Sequence, residues 1–238
     1  MNILGVITAR GNSKGVKNKN IKPLAGKPTI YYTIEAAKKS KLLTRLVCST
    51  EDSKIAEITK SYGVEVIKRP KALACDTARI DDVLRHTVKF LEKRDKFTTD
   101  IVVLLYANIP IRKEGIIDKT ISEFIKFNPD CVMTVSDIGQ FHPNWLLKVE
   151  DEKRIDLYSP TTIYRRQDLP KYYYNDGSVV AVKKEALMKN DGISLYPAFG
   201  KDIRAIIQSQ HETIEIDNEY DYFLAESILN TRGKNEEI

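Results

Sequence analysis

The chain has 238 residues, 42% of them hydrophobic, 30% charged and 8% aromatic, and a formal net charge of +5. That size suits one large domain or two small ones, and the balance excludes a disordered chain. No apolar run approaches the ~20 residues of a membrane helix. The opening MNILGVITAR leads into a polar loop rather than a cleavage site, so no secretory signal is expected.

In chain order, ILGVIT at 3–8 reads as a buried strand, bounded by a Gly/Asn/Ser loop. That loop runs to Pro28, and Thr29 is placed to cap a helix reaching about Ser40. Strand 45–50, helix 52–62 and strand 64–67 follow, then a helix from Ile80 whose apolar residues Val83, Leu84, Val88 and Leu91 keep helical spacing. Residues 100–106 form a strand, Ile117 to Ile125 a helix and 131–136 a strand. This alternation predicts an α/β fold, a mostly parallel sheet with helices on both faces. From 138 to 175 the rhythm breaks into short pieces rich in Tyr, Pro and Arg, read as an inserted antiparallel arm on a single domain spanning 1–238. Strand 178–182, a strand near 204–208 and a helix from about Asn218 to Asn230 close the chain.

The charge is localised. Residues 1–34 contain no acid and six cations (Arg10, Lys14, Lys17, Lys19, Lys22, Lys27), which leaves the remaining 204 residues at −1. A nucleic-acid surface spreads cations along a stripe with aromatics between them, but here the first aromatic, Tyr31, lies beyond the last lysine. A compact polyanion such as a nucleoside triphosphate fits a single cationic loop better. A solvated basic loop is the plainer alternative, set against it by the buried strand directly before it. In parallel sheets ligands sit beyond the carboxyl ends of strands, where ARGNSKGVKNKN emerges. Gly-containing backbone with Lys and Arg tips can cradle phosphates there. Neither G-x-x-x-x-G-K-[ST] nor G-x-G-x-x-G occurs, which excludes a P-loop enzyme and disfavours a dinucleotide dehydrogenase. Cys48, Cys75 and Cys131 are widely separated and make no C-x-x-C pair, so a reducing, cytoplasmic setting is expected.

Ala9-Arg10-Gly11-Asn12-Ser13-Lys14-Gly15 followed by Lys19-Asn20 resembles the first motif of the acylneuraminate cytidylyltransferases. Four more elements follow in the same order. They are the R-P-x-x-L-A-x-D-T element (Arg69 to Thr77), LLYANIPIR in place of L-L-Q-P-T-S-P-L-R, RRQDLPKYYYNDGSVVAV, and HETIEIDNEYDYFLAESIL for the closing I-D-I-D element. The resemblance implies a Rossmann-like nucleotide-diphospho-sugar transferase fold. It also implies transfer of CMP from CTP to a sialic-acid-like 2-keto-3-deoxy sugar acid, with Mg²⁺ assisting and pyrophosphate leaving. On the matching positions it implies Arg10 and Lys19 as the catalytic cations. Ala9, Arg10, Ser13, Lys19, Asn20, Arg69 and Ala78 would line the nucleotide, Glu215 and Asp217 the metal, and Tyr106, Arg166, Asp176 and Gly177 the sugar. It further implies a homodimer, with the arm packing across the interface.

Residues two apart on an extended strand point to one side, so Glu215 and Asp217 can share a hard cation. Asp217 or Asn218 could instead cap the last helix. His142, beside Pro and Trp, reads as packed structure. The pattern is broken mainly at the sugar end: Tyr106 replaces Gln, Ala107-Asn108-Ile109 replace P-T-S, Asp176 replaces Asn, Ile80 a Ser, and a sugar-binding Lys falls near Trp145. Glu215 replaces the first Asp of the acid pair. The expected acceptor is therefore a relative of N-acetylneuraminate such as a pseudaminic- or legionaminic-type acid. A phosphonate or Kdo-like acceptor, a uridylyltransferase and a non-catalytic nucleotide-binding domain are the alternatives.

Overall fold

A computed structural model describes residues 1–12, 15–189 and 197–236. Strand β1 (Ile3–Thr8) leads through a loop with the two-residue strands β2 (Pro23–Leu24) and β3 (Lys27–Pro28) into helix α1 (Thr29–Lys38). Then come β4 (Arg45–Thr50), α2 (Ser53–Ser61), β5 (Glu65–Lys68), α3 (Ile80–Asp95), β6 (Ile101–Tyr106), α4 (Ile116–Phe127) and β7 (Cys131–Asp137). The short strands β8 (Leu147–Val149) and β9 (Ile155–Leu157) follow, then β10 (Tyr173–Lys183), α5 (Lys184–Lys189), β11 (Ile203–Gln208) and α6 (Glu219–Glu236).

Seven strands form one sheet in the order β11-β7-β10-β6-β1-β4-β5. Within this sheet, among the described residues, only β10 runs against its neighbours; the pairs β1/β4, β1/β6, β4/β5 and β7/β11 are parallel. The α/β architecture expected from the alternation is therefore present. Near-continuous apolar runs bury both faces of each central strand, as a sheet covered on two sides requires. One face packs on Ile30 and Ile34 of α1, Ile55 of α2 and Ile117, Ile121 and Phe124 of α4. The other packs on Leu84, Val88 and Leu91 of α3 and Leu187 of α5. A third apolar cluster joins Val16 and Leu24 of the first loop to Ile111, Ile214, Ile216 and Tyr222. It fastens that loop to the carboxyl-terminal segment.

Two local expectations are corrected. Pro28, not Thr29, occupies the cap of α1, because the Thr29 hydroxyl donates to the Lys22 carbonyl 3.0 Å away inside the protein. The strand expected at 178–182 begins at Tyr173 and passes through an irregularity between Asn175 and Val180, so the last three residues of the arm belong to the main sheet. Within the arm, β8 and β9 pair antiparallel with each other. No helix among the described residues is long and apolar enough to cross a membrane.

Candidate active site

The carboxyl ends of β1, β4 and β6 deliver three segments to one edge, and the loop after β1 folds over them. Ala9 donates its N–H to the Ser49 carbonyl (3.2 Å). The Gly11 N–H donates to Glu51 Oε1 (2.7 Å). The Asn20 amide, 3% exposed, donates to the Arg10 carbonyl (2.9 Å) and closes the loop from beneath. Arg10 is left pointing outward and pairs with Asp76 at 2.9 Å. Asp76 comes from the R-P-x-x-L-A-x-D-T element, whose turn also holds Ala78 by its N–H on the Cys75 carbonyl (3.1 Å).

Arg69 is 5% exposed and donates to the carbonyls of Ser49 (2.6 Å), Ala9 (3.3 Å) and Leu73 (3.4 Å). Burial pulls its guanidinium below the ordinary arginine range. Arg69 and Asn20, expected beside the nucleotide, both donate to backbone carbonyls at this edge. Ser13 lies outside the described residues.

The loop meets the carboxyl-terminal acids. Lys19 Nζ donates to Asp217 Oδ1 at 2.9 Å and to the Ile216 carbonyl at 3.1 Å, across 198 and 197 positions of sequence. Lys22 pairs with Glu219 at 2.8 Å. Gly15 explains how the backbones come so close: a Cβ there would sit 1.9 Å from the Asp217 carbonyl oxygen. Any side chain at 15 would force the two segments apart.

The capping alternative for Asp217 is settled by its neighbours. Asn218 Oδ1 accepts from the Asp221 N–H (3.1 Å), and Asp221 Oδ2 accepts from the N–H groups of Asp217 (2.9 Å) and Asn218 (3.0 Å). Asn218 and Asp221 cap α6, and the Asp217 carboxylate stays with Lys19. Glu215 lies half-buried two residues earlier, with Oε1 accepting from Asn108 Nδ2 (3.1 Å). Burial, then the negative charge of Asp217, push its carboxyl above the ordinary carboxylate range. Neighbouring acids in that state call for a cation. Among the described residues no group of three or more His, Cys, Asp or Glu could hold a metal. Two hard carboxylates fit a cation whose other positions are filled by phosphate oxygens and water.

The residues expected at the sugar end are brought together less completely. Gly177 has φ +70°, and a Cβ there would lie 3.3 Å from Glu215 Oε2 and 3.4 Å from the Tyr106 ring. Glycine thus brings Tyr106, Gly177 and Glu215 together. Asp176 does not join them. It is 3% exposed and accepts from Thr134 (2.5 Å), Ser136 (2.9 Å), Gln208 (2.7 Å) and the Ser178 N–H (3.0 Å). Its carboxylate ties β7, β10 and β11 together under the site instead of facing a ligand. Arg166 stands apart on the arm, with Nη2 4.0 Å from Asp137 and the side chain 66% exposed. It lines an open cavity of about 630 Å³ with Lys113, Lys171, Tyr173 and Gln208. His142 is packed structure, as expected: it is 3% exposed, bonds the Pro170 carbonyl at 2.9 Å and stacks on Tyr172.

Sequence reasoning missed Asn108, Asp76 and Arg112. All three stand inside quoted motifs, and each has a pairing partner far away in sequence. Arg112 is fully engaged beneath Tyr106, donating to the carbonyls of Tyr106 (2.7 Å), Ile109 (2.5 Å) and Ser178 (2.9 Å), and burial pulls it down to about 9. It clamps the turn that carries Tyr106 and Asn108.

Comparison with known proteins gives the family and the fold. The family profile described as cytidylyltransferase matches residues 4–226. A post-translational flagellin modification protein B of Campylobacter coli is 33% identical over 97% of this chain and 96% of its own length. The CMP-N,N'-diacetyllegionaminic acid synthase of Legionella pneumophila is 32% identical over 96% and 97%. A solved structure of CMP:2-keto-3-deoxy-manno-octonic acid synthetase complexed with CTP superposes with a TM-score of 0.74 at 16% identity, covering 98% of this chain and all of that one. At that identity the superposition speaks for the fold.

Proposed function

Because the chain belongs to the cytidylyltransferase family, and is on that ground a nucleotidyltransferase, we propose that it transfers CMP from CTP to a nonulosonic acid of the legionaminic or pseudaminic type. The observation that carries this is the meeting of the acid-free amino terminus with the two carboxyl-terminal acids, made by Lys19 on Asp217 at 2.9 Å and by the approach of Gly15 to the Asp217 backbone. A whole-length relative named for N,N'-diacetyllegionaminic acid supports the acceptor class.

In this reading the anomeric hydroxyl of the sugar acid attacks the α-phosphorus of CTP. The new O–P bond forms as the bond to the β-phosphate oxygen breaks, the hydroxyl proton passes to solvent, and pyrophosphate leaves. Such transfers depend on positioning and charge neutralisation. Arg10 and Lys19 hold the triphosphate and neutralise the departing pyrophosphate, exchanging Asp76 and Asp217 for phosphate oxygens as they do so. Glu215 and Asp217 would hold Mg²⁺, which would supply Lewis-acid polarisation of the phosphate oxygens. Asn20 and Arg69 keep the loop in shape. Tyr106 and Gly177 bound the acceptor, whose carboxylate takes a cation such as Arg166 in bidentate fashion. The exposed arm 138–175 packs against a second copy, so that the protein works as a homodimer.

Incubation with CTP, Mg²⁺ and a panel of nonulosonic acids tests the reading. Pyrophosphate release, with a CMP-sugar of the matching mass, is expected for a legionaminic- or pseudaminic-type acid. No product from any nonulosonic acid, or equal turnover with UTP, overturns it.

A further inference from the structure

Resting on the reading of Glu215 and Asp217 as metal ligands, one further role can be drawn from the turn after β6. Asn108 is 6% exposed. Its Nδ2 donates to Glu215 Oε1 (3.1 Å) and to the Ile216 carbonyl (3.1 Å). Its own carbonyl accepts the Ile216 N–H (2.8 Å). From the other side Lys19 reaches the same Ile216 carbonyl and Asp217. The Ile216 peptide is gripped between Asn108 and Lys19, and among the described residues Asn108 donates to the acid before it and Lys19 to the acid after it.

Two departures from the family pattern therefore touch. Asn108 stands where that pattern has Thr, and Glu215 where it has the first Asp of the pair. They are 107 residues apart in sequence and 3.1 Å apart in space. Both changes lengthen a side chain. The longer acid carries its carboxylate farther from the backbone, and the amide of Asn108 meets it there. A hydroxyl on the shorter threonine arm would fall short of Glu215, and Asn108 would overreach an aspartate.

We infer that Asn108 is a positioning residue for metal binding and that Asn108 and Glu215 work as a matched pair. Asn108 fixes Oε1, so that Oε2 is held beside Gly177 and Tyr106. Outer partners of metal ligands act in this way, by locking the rotamer of the ligand. A residue that only clasped the fold would change stability without caring which acid stands at 215.

The test is a double-mutant cycle read by Mn²⁺ binding, with electron paramagnetic resonance of free Mn²⁺ in the presence of CTP. The wild type, Asn108→Thr, Glu215→Asp and the double variant are compared, and thermal unfolding of each checks the fold. Each single change is expected to weaken Mn²⁺ binding about 10- to 100-fold. The double variant is expected to bind Mn²⁺ more tightly than both singles, because the shorter acid then meets the shorter donor. Any other ranking overturns the inference. If Asn108→Thr does not fold, Asn108→Ser replaces it in the cycle with the same required ranking. If neither folds, Glu215→Asp alone decides, and wild-type affinity in that variant overturns the inference. A wild type that binds no Mn²⁺ beyond that held by free CTP removes the metal reading itself, and is told apart from a failed cycle by that control.

Discussion

Around the loop that follows β1, polar groups find partners within the chain: Arg10 on Asp76, Gly11 on Glu51, Asn20 on the Arg10 carbonyl, Lys19 on Asp217 and Lys22 on Glu219. In the arm, β8 and β9 pair with each other, and every residue of both strands is exposed. Large apolar side chains such as Phe141 (63% exposed), Val149 (66%), Ile155 (57%) and Tyr164 (83%) lie bare there. A lone two-stranded ribbon is marginal in water, and exposed apolar side chains of this kind are what the proposed second copy would cover. The difference is that the polar groups of the loop after β1 are answered within one chain, whereas the arm leaves large apolar side chains bare.

The largest effect is expected where the two termini meet. Lys19→Met removes the cation that touches both Asp217 and the Ile216 carbonyl. Steady-state kinetics should show kcat/KM for CTP falling by about 10²- to 10³-fold, the scale of losing one preorganised charge-stabilising donor. The circular dichroism spectrum should not change, since the side chain lies at the edge of the fold. A loss below tenfold would detach Lys19 from the chemistry.

Glu215→Gln comes next and cuts in two directions. A half-buried carboxylate beside a second carboxylate is unfavourable until a cation arrives. Removing its charge should raise the midpoint of thermal unfolding of the metal-free protein by about 2–4 °C. Turnover should fall by about 10²-fold, since one hard ligand is lost. Strain kept at a site for the sake of its ligand has this signature. A variant both less stable and fully active would assign Glu215 a structural role.

How much of this could be read from the residues follows the same division. The sheet was legible because ILGVIT, IVVLLY and CVMTVS are short apolar runs between helical spacings, and local pattern decides such elements. The cationic loop was legible because charge is additive along a chain. Long-range pairing is not carried by local pattern. Nothing beside Asn108 points to Glu215, and nothing beside Asp176 says that Thr134, Ser136 and Gln208 converge on it. The resemblance puts Arg69 and Asn20 near the nucleotide, but only the fold reveals that they donate to the backbone carbonyls of Ser49, Ala9 and Arg10. The cap of α6 was ambiguous between Asp217 and Asn218 until Asp221 was seen to close on both N–H groups.

The arm can be tested by making its surface unfit for a partner. Val149 and Ile155 face each other across β8 and β9. Val149→Glu with Ile155→Glu sets like charges opposite one another on an exposed ribbon, which costs the ribbon little more than ~1 kcal/mol. Burying two carboxylates in an interface is far more unfavourable. Light scattering at micromolar protein should shift from dimer to monomer. CTP binding should persist, and turnover of the acceptor should drop by about tenfold. An unaltered mass would leave the arm as a solvated decoration.

Arg166→Ala gives the smallest and most selective change. The side chain is largely exposed, and among the described residues its ion-pair partner is Asp137, at 4.0 Å. Exposed pairs at that distance add little to stability, so unfolding should be unaffected. If the arm brings Arg166 to an acceptor carboxylate, KM for the sugar acid should rise about tenfold while KM for CTP stays within twofold, the pattern of a lost ground-state contact. The two Michaelis constants thus report on the two regions separately. Equal movement of both would place Arg166 on the nucleotide side, and movement of neither would leave the carboxylate to Lys113 or Lys171, which line the same cavity.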